Sequence, residues 1–188
     1  MTVLRNLNLF TVFLFLCLIQ GEALAQRFFV QKSTLKFVSD APLERIEAVS
    51  NAMKGVIDID KRTFAFSVAL RSFKGFNGIL QQEHFHENYV ESEKYPISTF
   101  TGKIVDDFNP SVLGKYQVRV KGNFTIRGIT QEKILKGIIE VRPNAIILNS
   151  EFNVVLDDYS IHIPRVVYQK IAPEVIVTLF AEMNQNNK

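Results

Sequence analysis

The sequence predicts an all-β fold, antiparallel strands around an apolar core, and three observations carry that prediction. From 116 to 126, Tyr116, Val118, Val120, Phe124 and Ile126 alternate with Gln117, Arg119, Lys121, Asn123 and Thr125, the period of two that gives a strand one buried and one wet face. Phe64, Phe66, Val68 and Leu70 repeat the pattern against Thr63, Ala65, Ser67 and Ala69. One stretch, 77–93, breaks the rhythm, and many strands with a single substantial helix make a closed barrel or a sandwich.

The chain opens on Arg5, an apolar run from Leu9 to Ile19, and Ala23-Leu24-Ala25. A short positive region, a short apolar stretch and small residues at the minus three and minus one positions read as a secretory signal peptide, residues 1–25, cut before Gln26. The run is shorter than the roughly 20 apolar residues of a membrane span. Cys17 follows Leu16 inside that run, where lipidation of a new N-terminus would call for a small residue. Export to the periplasm or beyond is therefore expected, with 26–188 as a single domain. Cys17 is the only cysteine, so the mature part has neither a disulfide framework nor a thiol nucleophile. Its stability must come from a core, for which 16 Phe within 47% apolar residues give ample material. The formal charge of +3 comes from scattered basic residues, which excludes a nucleic-acid patch and is too weak to argue for an anionic surface.

In chain order, about eight strands are expected, at 34–39, 54–59, 63–70, 97–104, 116–126, 133–141, 146–156 and 175–183. Turn chemistry separates them at Asp58-Ile59-Asp60-Lys61, Arg127-Gly128 and Arg142-Pro143-Asn144. Within 77–93, Ile79, Leu80, Glu83, Phe85, Asn88, Tyr89 and Ser92 fall at helical spacing, with Asn77 as N-cap and Pro96 as stop. Gly102, Gly122 and Ser150 share parity with Phe100, Val120 and Phe152. Small inward residues leave volume in a barrel, and glycines also relieve strand curvature in a packed one; both readings stand at this point.

The segment around the helix is the most specific signal in the chain. His84-Phe85, Asn88-Tyr89, Glu91-Ser92, Lys94-Tyr95-Pro96, Thr99-Phe100 and Gly102-Lys103-Ile104 resemble the signature region of the YceI-like family. The run from Val120 to Thr130, VKGNFTIRGIT, is similar to that family's strand and turn. Phe124 stands where leucine is commoner, Arg127 where histidine is common and His86 where asparagine is often found. The resemblance implies an extended, lipocalin-like antiparallel β-barrel with an apolar tunnel. It also implies that the chain binds a polyisoprenoid, an isoprenoid-quinone-like lipid or a related long-chain amphiphile, and that it needs no other cofactor.

On that implication Phe64, Phe66, Val68, Phe100, Val118, Val120, Phe124, Phe152 and Val154 would line the barrel, and the helix would sit near its mouth with Phe85 and Tyr89 toward the ligand. The same apolar set is also what a filled core would need. His84, Tyr89, Lys94, Tyr95 and Arg127 are candidates for a lipid head group, each with a plainer role at the surface or in a turn.

Chemistry of other kinds finds little support. Glu83-His84-Phe85-His86-Glu87 invites a metal, but residues two apart on a helix point about 200° apart, so His84 and His86 cannot share one ion. Val90 stands where the second histidine of a His-Glu-x-x-His motif would be. No serine lies in a Gly-x-Ser-x-Gly elbow, and Asp157-Asp158 before Tyr159 reads as a strand end and turn. No metal and no catalysis are expected. Two functions remain: a carrier of a long-chain lipid, or a ligand-free extracytoplasmic stress or adhesion module of the same fold. Transient membrane contact and a homodimer are compatible with either.

Overall fold

The computed structural model describes residues 26–185, so the expected signal peptide lies outside the described residues. Nine strands follow in order: β1 Arg27–Asp40, β2 Arg45–Ser50, β3 Lys54–Asp58, β4 Thr63–Ala69, β5 Ile97–Ile104, β6 Gly114–Ile126, β7 Ile129–Arg142, β8 Ala145–Val155 and β9 Glu174–Gln185. Between β4 and β5 lies the short helix α1, Ile79–His84, which runs into a π-helical turn, Phe85–Tyr89.

Every pairing is antiparallel, and β1 closes the sheet on β9 from Val38↔Ile176 to Phe28↔Gln185. On its other flank β1 pairs with β3 through Arg27–Phe29 and with β2 from Leu35 to Asp40. β2 and β3 are thus two halves of one position, and nine strands make an eight-position barrel of the predicted lipocalin-like kind. A register shift between Val30 and Lys32 lets β1 turn the corner.

The barrel has two unlike ends. One carries the β3–β4, β5–β6 and β7–β8 connections and is plugged by Met53, Ile57, Ile104, Val118, Ile139, Ile146 and Met183. The other carries α1, the β6–β7 turn and the long connection from β8 to β9. Sharp turns fix the hairpins: Arg127 (φ 50°) and Gly128 (φ 73°) make the two-residue loop of type I′ geometry. Pro143 followed by Asn144 (φ 62°) makes a turn of type II character.

The structure decides between the two readings of the inward glycines. Gly102 and Gly122 face each other across β5 and β6. A Cβ on Gly102 would stand 2.2 Å from the Lys121 carbonyl oxygen, and one on Gly122 would stand 2.3 Å from that of Thr101. The pair lets two backbones approach closely, and neither glycine is part of the cavity lining, so the pair leaves no volume there.

Ladder pairing is uneven around the barrel: β5 and β6 pair only from Thr99↔Thr125 to Ile104↔Val120, and the wall between β7 and β8 is likewise partial. β6 and β7 pair over their whole length, whereas the β7–β8 ladder runs only from Arg142↔Ala145 to Gly137↔Ser150. Past that point the turn Asp157–Tyr159 spans the seam. The Gln131 side chain donates to the Asp158 carbonyl (2.9 Å), and Lys133 Nζ lies 2.6 Å from the Asp158 carboxylate.

The helix is shorter than expected. Its N-cap is Gly78, not Asn77; the Asn77 amide instead donates to the Glu44 carboxylate and the Arg45 carbonyl. The chain leaves the helix at Glu91 (φ 46°), before the expected end.

Candidate functional site

The barrel interior holds a cavity of about 660 Å³ that opens at the α1 end. Its wall is built strand by strand from the inward parity. Phe64, Phe66 and Val68 come from β4, Phe100 from β5, Val118, Val120 and Phe124 from β6, and Phe152 and Val154 from β8. Every apolar strand residue singled out in the sequence lies on this wall. Ring contacts link them across strands: Phe64 to Phe100 at 4.9 Å, Phe100 to Phe124 at 5.6 Å and Phe124 to Phe152 at 5.9 Å. Aromatic faces meeting edge to face make a stiff apolar surface.

Phe85 and Tyr89 also face the cavity. Phe85 stacks on Phe37 at 5.3 Å and meets Phe76 at 5.1 Å, so the π-helical turn roofs the barrel through a second group of rings. Desolvation raises the Tyr89 hydroxyl above its ordinary value, as it must where a phenol sits at an apolar wall. His84 lies on the lining at the mouth, near Glu44, Asn77 and Gln81. Glu44 accepts from both amides there, at 3.3 and 2.9 Å.

The other head-group candidates are not brought to the cavity. Arg127 pairs with Glu91 and donates to the Ser160 carbonyl. All three residues have positive φ, at 50°, 46° and 53°, so Arg127 ties three strained connections together at the roof. The Tyr95 ring packs over Gly128, where a Cβ would come within 2.5 Å of it. Lys94 Nζ lies 5.0 Å from the centre of that ring. These three side chains hold the roof from outside.

Several wall residues were not singled out from the sequence. Leu35 and Phe37 of β1 and Val177 and Leu179 of β9 line the cavity, and period-two alternation in both segments was signal enough to find them. Ile161, Val167, Lys170 and Ile171 come from the irregular connection before β9, where no periodicity marks them. Tyr159 is fully buried against Phe124. Burial, then the Asp158 charge, pushes its hydroxyl up to about 12.

No group of three metal-ligating side chains forms among the described residues. His86 packs against Phe76 and Phe85, with its Nδ1 buried and without a partner. Desolvation, then the charges of Arg71 and Lys74, lowers its pKa below the ordinary 6.5. A depressed folded value means that the stability His86 contributes is present above that ordinary value and is lost as pH falls through it toward the folded one. Thermal melts between about pH 7.5 and 5.5 should therefore show acid destabilisation that is smaller in His86→Gln. An unchanged slope in the variant would refute the assignment to His86.

Comparison with known proteins places these features in context. The family profile described as YceI-like domain matches residues 29–183. No curated protein matches the chain. Among solved structures, a polyisoprenoid binding domain from Saccharophagus degradans, implicated in plant cell wall breakdown, superposes with a TM-score of 0.71 at 14% identity, over 84% of this chain and 98% of that one. BcnA from Burkholderia cenocepacia gives 0.67 at 14% identity, over 80% and 95%. A YCEI protein from Campylobacter jejuni gives 0.59 at 16%, over 72% and 82%.

Proposed function

This chain belongs to the YceI-like domain family, and on that footing we propose that it is an exported binding protein that carries one long-chain apolar lipid in its barrel and catalyses no reaction. One observation carries the reading: the barrel is hollow. An eight-stranded barrel is just wide enough to be filled by side chains or to hold one small ligand. Here the interior keeps about 660 Å³, within the roughly 300–1,000 Å³ of ligand sites. The walls are aromatic and aliphatic, and polar side chains such as Glu44, Asn77, Gln81 and His84 gather at the mouth. An interior of that kind suits a hydrocarbon tail, with the polar end left near the opening.

A polyisoprenoid or isoprenoid-quinone-like lipid is the favoured class, supported by the likeness in fold to the polyisoprenoid binding domain of Saccharophagus degradans. Export rests on the N-terminal pattern of Arg5, the apolar run and Ala23-Leu24-Ala25.

Mass spectrometry of gently extracted protein tests the whole reading. One lipid per barrel is expected under native conditions, on a chain that begins at Gln26. Phe85→Ala should lower lipid content and, by removing a ring from the roof, cost about 3 kcal/mol of stability. A reproducibly empty barrel in the wild-type protein would refute the carrier function.

A further inference from the structure

The cavity mouth is ringed by large apolar and tyrosine side chains that the barrel leaves exposed. Leu43 is 66% exposed, Ile79 80%, Leu80 64%, Val166 89% and Tyr168 63%. Elsewhere among the described residues only Ile134, on the barrel wall, exceeds 60% among large apolar side chains. The five come from three separate connections that meet at one place. The Leu43 amide donates to the Gln169 carbonyl at 2.9 Å, which joins the β1–β2 connection to the one before β9. Glu44 accepts from Asn77 and Gln81, which joins it to α1. Leu80, Val167 and Ile171 continue from this rim into the cavity lining, so the exposed apolar surface and the apolar interior are one surface.

Glu44 on the rim is engaged by the Asn77 and Gln81 amides, and the charge of the connection before β9 is of one sign from Ser160 on. Arg165 and Lys170 flank Val166 and Tyr168, no acidic residue occurs from Ser160 to Pro173, and neither cation lies in an ion pair among the described residues. A connection with apolar and tyrosine side chains between unpaired cations has the make-up of a segment that lies in the lipid interface, its apolar groups under the head groups and its cations on the phosphates. An exposed apolar rim of this size marks an interaction site.

We infer that the mouth docks on the surface of a lipid bilayer containing anionic phospholipids, with Leu43, Ile79, Leu80, Val166 and Tyr168 inserted at head-group depth and Arg165 and Lys170 on lipid phosphates. The inference rests on the carrier reading above, because a bilayer is where a long-chain lipid would enter and leave. Seated this way, the mouth opens onto the membrane, and a hydrocarbon tail crosses between the two without meeting water.

The chain contains no tryptophan, so a single introduced indole reports its own surroundings. Tyr168→Trp in the mature protein should shift its emission to the blue with vesicles of mixed phosphatidylcholine and phosphatidylglycerol, and brominated acyl chains should quench it. Leu43→Trp serves as a second reporter if the first fails to fold. Ile134→Trp, on the wall, should respond to neither. Adding Val166→Glu to the reporter should weaken vesicle binding about tenfold, since one valine's worth of apolar burial is lost, with the lipid content of the barrel unchanged. Reporter emission that ignores vesicles, or a wall reporter that responds as strongly, would overturn the docking. Equal binding to phosphatidylcholine alone would overturn the role of Arg165 and Lys170. Mass spectrometry separates the two proposals: a parent reporter that holds its lipid yet does not bind vesicles counts against docking only, and an empty wild-type barrel counts against the carrier.

Discussion

Gly102→Ala is expected to destabilise the protein by about 3 kcal/mol, or to prevent folding, although it adds a single methyl group. The added Cβ would meet the Lys121 carbonyl oxygen at 2.2 Å and the Gly122 Cα at 2.5 Å. Both are backbone atoms, so no side-chain rotation relieves the clash; the β5–β6 ladder must move apart. Denaturant titration measures the loss. Ala at Gly78, where a Cβ has open space, is the matched control and should cost far less. If the two variants unfold at the same denaturant concentration, the close approach of β5 and β6 is not what requires glycine.

Val118→Asp should have an effect of similar or greater size. Val118 is 4% exposed and sits in the plug at the closed end with Ile139 and Leu148, where a carboxylate would have no counter-charge. A buried unpaired charge costs several kcal/mol, and the group takes up a proton in response. The variant should therefore be less unstable at low pH than at neutral pH. The neighbour of opposite parity, Lys121, is exposed and paired with Glu132 at 3.0 Å. Lys121→Gln should change stability by no more than about 0.5 kcal/mol. Comparable melting losses at the two positions would refute the inward assignment of β6.

Much of this architecture was legible because alternation is a strong signal where large apolar side chains occupy every second place. β4, β5, β6 and β8 were found on that basis, and so was one wall of the cavity. The signal failed where the inward residues are small or polar. β2 turns Ile46, Ala48 and Ser50 inward, and two of those three give no hydrophobic contrast. The first half of β1 was missed because the shift between Val30 and Lys32 resets its parity, so Phe28 and Leu35 share no single period. The start of β7 carries Gln131 and Lys133 toward Asp158, polar residues where a buried face would show apolar ones.

Arg127 shows the limit from the other side. A basic residue near a barrel end reads as a ligand contact in one dimension. Only the meeting of the β6–β7 turn with Glu91 and Ser160 reveals that its charge is already engaged. The exposed rim was illegible for a similar reason: Leu43, Ile79 and Val166 lie far apart in the chain, and nothing local says that they converge.

The seam between β7 and β8 gives the barrel a soft side. Where a ladder joins two neighbouring strands, separating them means breaking its backbone hydrogen bonds, a cooperative event whose cost approaches that of unfolding the sheet. Between residues 129 and 136 of β7 that cost is absent on one flank, because the wall there is held to its neighbour by the Lys133–Asp158 ion pair, the Gln131–Asp158 hydrogen bond and the Tyr159 ring. A group pressing outward on this line from inside the barrel would therefore meet the side-chain contacts of the Asp157–Tyr159 turn, the buried Tyr159 ring among them, before it met a backbone ladder.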